Sequence, residues 1–348
     1  MGVIGYRSLL ISKYKKCLTK ILNNYDYVFI DGNCILHETF VNGIDFYSQF
    51  PVVYEKFIKI FNEFKSENYY IVFDGQAPIN KQLTQRLRRE NNFEESSLLL
   101  PGIYIINDLE EYLIERFDPK INLISSNQIG EGEQKIFSIL KEIKPETKLN
   151  IMIISLDTDI IILSQLFLLN KELFNVDVFI KKENDLIINF NVNELNKKMF
   201  KGKLNEDNLI LFAFLSGNDF IIKNTTMNCD KIIDLYKIFI NNKVINIEQL
   251  IFNKCIYDCK KKLNEENIKI YSNLFNWYRK YFKTNEFISC KSYNFEKTPC
   301  CYCLKLYINI PLKLKNPDSN YHEKILPPLL FNLVNFKNEF SRLNKINI

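Results

Sequence analysis

Three apolar runs in this chain end in aspartate, and the repetition suggests chemistry rather than accident. "YDYVFIDGN" (25–33), "NYYIVFDGQAP" (68–78) and "LNIMIISLDTD" (149–159) lead into Asp31, Asp74 and the pair Asp157 and Asp159. In parallel α/β sheets the ligand site lies beyond the carboxyl ends of the strands. One aspartate at such an end is ordinarily a turn or cap residue. Three ends closing on aspartate would crowd like charges into a small volume, which is costly unless cations or protons neutralise them. The pattern therefore predicts a metal site. "IGEGEQKIFSILKEI" (129–143) adds Glu131 and Glu133, set between glycines just before an amphipathic run. Residues two apart do not share a helix face, so both reach one site only if this turn is not yet helical. The glycines permit that, and the plain alternative is an acidic helix start. Asp219, in "FLSGNDFI", reads on its own as a helix-end turn.

The chain has only two histidines, His37 and His322. That excludes a histidine-rich zinc hydrolase and leaves carboxylates, which favour magnesium or manganese. "KQLTQRLRR" (81–89) holds four basic residues in nine and begins seven residues after Asp74. If helical, it gathers Lys81, Gln85, Arg88 and Arg89 within a sector of about 100°. A solvated basic face is the ordinary reading, but the position after a strand end could aim it at the acidic site. His37 lies six residues beyond Asp31, and a lone histidine is usually structural.

These residues need a scaffold. The three runs are apolar without clean alternation, as in strands covered on both faces. Helical patterns lie between them at 52–65 and 133–144, and 176–182 with 186–192 reads as a further strand pair turning at 183–185. Alternating strand and helix predicts an α/β fold: a central, mainly parallel, twisted sheet flanked by helices. From about Leu195 the pattern becomes helical. A soft boundary near 240 divides residues 1–240 from a mostly helical extension, 241–348.

The 348 residues are ample for a sizeable core. The excess of Lys and Arg over Asp and Glu, 46 − 41 = 5, is too small to argue nucleic-acid binding. There is no run of about 18 apolar residues, so no membrane span is expected. The start lacks a signal-peptide pattern, and Tyr6 stands where myristoylation wants Ser or Thr. The nine cysteines are therefore expected to be free thiols of an intracellular protein, cytoplasmic or nuclear. The spacings of Cys255, Cys259, Cys290, Cys300, Cys301 and Cys303 fit no strong zinc pattern.

Taken together, "FIDGNCILH" (29–37), "FDGQAPINKQLTQRLRRE" (73–90), "GEGEQKI" (130–136), "SLDTDIIILS" (155–164) and "SGNDF" (216–220) resemble, in order and context, the 5′→3′ exoribonucleases of the Xrn/Rat type. The resemblance runs from Met1 to about Ile240. It implies a 5′ nuclease fold of the PIN-like and flap-endonuclease-like kind. It also implies that Asp31, Asp74, Glu131, Glu133, Asp157, Asp159 and Asp219 are catalytic metal ligands for two Mg2+ (or Mn2+) ions. Lys81, Gln85, Arg88 and Arg89 would hold the 5′-monophosphate of a single-stranded RNA, using the donor geometry that suits phosphate oxygens. His37 would stack on the terminal base, and Asn33 would support the site. The activity implied is release of mononucleotides from RNA, and the chain is expected to be a monomer. The alternatives are a flap-endonuclease-like nuclease acting on DNA and a catalytically degenerate RNA-binding scaffold. The chain departs from the family at Ile4, where the family has proline. It departs again after "GNDF", where "IIKNTTMN" replaces a proline–histidine continuation, and its C-terminal part is short.

Overall fold

A computed structural model of the chain describes residues 3, 5–22, 24–41, 43–75, 99, 104–128, 130–183 and 186–199, with Glu206, Leu209, Ile210, Phe212 and Ala213. Its centre is a six-stranded sheet built from β1 (Tyr27–Asp31), β2 (Tyr69–Val72), β3 (Ile121–Ile124), β4 (Leu149–Ile154), β5 (Phe174–Glu183) and β6 (Leu186–Asn191). The spatial order is β3-β2-β1-β4-β5-β6. Every neighbouring pair is parallel except β5 and β6, which are antiparallel. The expected mainly parallel α/β sheet is what the chain forms. The expected strand pair is present too, while residues 184 and 185 of its turn lie outside the described residues.

Both faces of the central strands β1, β2 and β4 are buried over at least their C-terminal halves, which is why these strands show no polar alternation. Val28, Ile30, Ile71, Phe73, Met152 and Ile154 point into one core, shared with α2 (Gly32–Thr39), α3 (Phe50–Glu63) and α4 (Tyr104–Ile114). Phe29, Val72, Ile151, Ile153, Val176 and Val178 point into the other. Helices α1 (Tyr6–Lys13), α5 (Gly132–Glu142), α6 (Asp159–Leu168) and α7 (Val192–Lys198) supply that second layer. Each large apolar side chain fully buried in either core contributes about 1.5–3 kcal/mol. In α3, Pro51 opens the helix, and Val53, Phe57 and Ile60 repeat at helical spacing to form its buried face.

Several elements were not anticipated from the sequence: the helices α1, α2, α4 and α6 and the strand β3. Strand β3 is only four residues long and at most half-buried, as suits an edge strand, and α4 leads into it. The predicted helices at 52–65 and 133–144 occupy Phe50–Glu63 and Gly132–Glu142.

The chain builds the sheet outward from β1 to β2 and β3, then returns to place β4 on the other side of β1. The topological switch point, where such sheets bind ligands, therefore lies between β1 and β4. Asp31 ends β1, and "SLDTD" follows β4. The boundary expected near 240, the basic run at 81–89, Asp219 and the C-terminal cysteine group all lie outside the described residues.

Candidate active site

At the switch point, Asp31 is both the last residue of β1 and the N-cap of α2. Its Oδ1 accepts the Cys34 backbone N–H at 3.2 Å, an ordinary capping bond. Its Oδ2 accepts the Cys34 thiol at 2.8 Å and the Ser155 hydroxyl at 2.9 Å. The carboxyl is buried, and its pKa is pushed up to about 6. Burial is the largest cause, followed by the negative charge of Asp74; Asp157 adds to it, and the hydrogen bonds from Cys34 oppose it. The charges of Asp74 and Asp157 thus both disfavour ionisation of Asp31.

Asp74 does not belong to β2 itself but sits two residues past its end, and Asp157 sits three past the end of β4. The Asp74 backbone N–H donates to Asn33 Oδ1 at 2.8 Å, so Asn33, on α2, fixes the chain as it leaves β2. Asp159 is not at a strand end at all. It is the first residue of α6 and is buried.

The glutamates lie at the start of α5. Glu131 is its N-cap, with extended backbone, and is buried. Its side chain accepts the Gln134 backbone N–H, while Gln134 Oε1 accepts the Glu131 N–H at 3.0 Å, a reciprocal capping box. Glu133 already lies inside the helix and is half-buried. Only Glu131 therefore precedes the helix, contrary to the expectation for both. The two glycines also play different parts. Gly130 has φ +106°, which L side chains rarely adopt. Gly132 is helical, and its role is spatial: its N–H donates to Asp74 Oδ1 at 2.6 Å, and a Cβ there would lie 3.1 Å from the same oxygen. The α5 N-terminus thus meets the Asp74 carboxylate with its partial positive charge.

Lys135 carries no role in the sequence reading, which treated it as part of an amphipathic run, yet it is buried. Its Nζ donates to the Phe73 carbonyl at 2.7 Å and the Ser125 carbonyl at 2.9 Å, tying the end of β2 to the end of β3. Burial lowers its pKa to about 8 against the opposing pull of Asp74 and Glu110. Glu110, from α4, completes this clamp by accepting the Ser125 hydroxyl at 2.6 Å and the Ser126 N–H at 2.7 Å. Ser155 and Cys34 were likewise overlooked. Nothing in their sequence setting separates them from ordinary turn and helix residues.

His37 is exposed on α2. It stands far enough into the acidic edge that desolvation outweighs the upward pull of Asp74 and Asp157, and its pKa is lowered. The imidazole is therefore neutral near pH 7.

The donor type at this edge suits hard divalent ions. The donors around Asp31 are carboxylate oxygens, and their charges disfavour one another without a cation. Among the described residues no three His, Cys, Asp or Glu side chains are grouped closely enough to hold one ion. An ion held here would keep water in its coordination shell, as magnesium commonly does.

The chain matches the family described as XRN 5′-3′ exonuclease N-terminus over residues 1–118 and 103–176, which together span just over half its length. The chain belongs to this XRN family. It is accordingly a 5′→3′ nuclease. Among solved structures, the catalytic core of Rad2 in complex with DNA substrate is similar at 14% identity, with a TM-score of 0.52, covering 96% of this chain and all of the Rad2 core. A second Rad2–DNA complex gives 16% identity and a TM-score of 0.52, covering 89% of this chain and 96% of that one. At such identities the likeness shows a shared fold. A T5 5′-exonuclease mutant, at 11% identity and a TM-score of 0.39, covers 75% of this chain and 86% of its own. That score is below the level at which a common fold follows. No curated protein sequence matches the chain at a significant level. In this XRN chain, the strand-end aspartates fall within the matched residues 1–176, and Asp219 falls beyond them.

Proposed function

We propose that the chain is a divalent-metal-dependent 5′→3′ exoribonuclease that hydrolyses single-stranded, 5′-monophosphorylated RNA to mononucleotides. The observation that carries this reading is the match to the XRN 5′-3′ exonuclease N-terminus over residues 1–118 and 103–176, with Asp31 buried at the switch point and Asp74 held beside the α5 N-terminus. A nucleic-acid site gains nothing from concentrated negative charge unless cations bridge it to phosphate. Divalent ions, when bound, supply Lewis acidity toward water and phosphodiester oxygens.

The chain's own residues do the rest. Asp31, Asp74, Asp157 and Asp159, with Glu131, Glu133 and Asp219, are the proposed ligands of two Mg2+ or Mn2+ ions. Glu131 is the extended N-cap and only Glu133 is helical, so the helix-face rule does not force the two apart. Gly132 donates to Asp74 Oδ1 and so fixes the orientation of this carboxylate. No side-chain nucleophile is required, so the scarcity of histidine is no obstacle. His37, neutral and exposed, offers a face on which a terminal base stacks. Lys81, Gln85, Arg88 and Arg89 are proposed to hold the 5′-monophosphate, which fixes the distance from the strand end to the hydrolysed bond.

A second reading is favoured by the Rad2 cores, which hold DNA substrate: a flap-endonuclease-like 5′ nuclease acting on DNA. A panel of 5′-phosphorylated RNA, 5′-hydroxyl RNA, single-stranded DNA and a DNA flap, with Mg2+, separates the two. Mononucleotide release from phosphorylated RNA alone is the expected result. Flap cleavage without RNA decay would establish the DNA reading. RNA binding with no cleavage of any substrate would mean a scaffold.

A further inference from the structure

We infer that the side chains of Ser155 and Cys34 are positioning residues that aim Asp31 and hold it in register with Asp157. This rests on the functional reading above and adds residues to the same site.

Ser155 follows β4 directly and is 2% exposed. Its one hydroxyl proton goes to Asp31 Oδ2 at 2.9 Å, and its oxygen accepts the Asp157 backbone N–H at 3.2 Å. One hydroxyl therefore joins two proposed ligands that come from different strands and lie 126 residues apart in sequence. Cys34 repeats the arrangement from the other side. Its thiol donates to the same Oδ2 at 2.8 Å, and its sulfur accepts the Leu156 N–H at 3.3 Å. The two side chains also approach each other, with Sγ and Oγ 3.6 Å apart.

The consequence is directional. The Cys34 backbone N–H holds Oδ1 at 3.2 Å, and the two side-chain donors on Oδ2 lock the other oxygen, so the Asp31 carboxyl is fixed at both ends. Oδ1 is thereby held on the side of Gly132 and Asp74, where a Cβ on Gly132 would lie 3.9 Å from it and 3.1 Å from Asp74 Oδ1. A carboxylate free to turn would present this oxygen to an ion only part of the time, and metal affinity would fall accordingly. Supporting hydrogen bonds to metal ligands typically change affinity by about 10–100-fold.

The test measures metal binding directly in the full-length chain. Mn2+ affinity is read by electron paramagnetic resonance, beside the melting temperature of the metal-free protein, for wild type, Ser155→Ala, Cys34→Ala and Cys34→Ser. The expected result is an Mn2+ dissociation constant raised about 10-fold in each alanine variant. Cys34→Ser, which keeps a donor, should restore affinity to within about 2-fold of wild type. Wild-type affinity in both alanine variants would overturn the inference, as would a lowered melting temperature with no change in affinity. If Ser155→Ala does not fold, the Cys34 pair decides alone. A wild-type protein that binds no Mn2+ would instead sink the functional reading, and this inference with it.

Discussion

Replacing Asp31 with asparagine is expected to lower nuclease turnover by at least about 10³-fold and yet to stabilise the metal-free protein by about 2 kcal/mol. The loss follows because several kcal/mol of transition-state stabilisation depends on ions that this carboxylate helps to hold. The gain follows from its environment. Asp31 is buried, and its pKa is raised to about 6 by burial and by Asp74 and Asp157. A folded-state pKa above the unfolded value means that the native protein binds the proton more tightly than the unfolded chain. This group's favourable contribution is therefore complete below about pH 4, declines as pH rises, and is lost above about 6. The metal-free wild type should lose stability across that window. Asp31→Asn should not, since it carries no charge and its neighbours can reorient: a serine hydroxyl accepts as readily as it donates. Urea unfolding in chelator between pH 4 and 8 measures both behaviours. An Asp31→Asn protein less stable than wild type at pH 7.5 would mean that the crowding of charge is not felt.

Gly75→Ala is expected to cost about 3 kcal/mol of stability and at least about 100-fold in activity. Gly75 follows Asp74, and its N–H donates to the Gly130 carbonyl at 2.8 Å. A Cβ at this position would stand 1.6 Å from the Gln128 carbonyl oxygen, 2.8 Å from its carbon and 3.0 Å from the Gly130 oxygen. All three atoms are backbone, so no rotamer change relieves the overlap. The chain leaving β2 must part from the loop leading to α5, and Asp74 and Glu131 move with their respective sides. Misplacing a reacting group by about 1 Å can cost about 100-fold. Gly43→Ala is the comparison. Gly43 has φ +81° but nothing within 4 Å, so only the backbone strain of about 1–2 kcal/mol applies. Equal losses from the two substitutions, measured by denaturant unfolding and by turnover, would contradict the close approach at Gly75.

Particular residues show why some of this site could be read from sequence. Asp31, Asp74 and Asp157 were legible because each follows a run long and apolar enough to be a buried strand, and parallel strands put such ends on one edge. For Asp31 and Glu131 the ordinary reading and the functional one are compatible: each caps a helix and stands beside the acidic edge. The parallel sheet was legible for the same reason, whereas β3 was not. Its four residues gain little burial, so they leave little hydrophobic pattern. Asp159 was assigned to a strand end because sequence alone does not show how quickly α6 begins after β4. Ser155, Cys34 and Lys135 could not have been found. Each acts through atoms distant in sequence, as in the bond between Ser155 and Asp31, and a serine after a strand or a lysine in a helix carries no local mark of that role. Gly132 was read for its backbone freedom, while its observed value is the space it leaves beside the Asp74 carboxylate.

The strand-end carboxylates are proposed to hold divalent ions at the switch point between β1 and β4. Anomalous diffraction from crystals of the full chain grown with Mn2+ tests this directly. Manganese peaks between the carboxylates of Asp31, Asp74 and Asp157 are the expected result. Crystals with that site free of manganese at saturating Mn2+, or with manganese bound only elsewhere on the chain, would contradict the account.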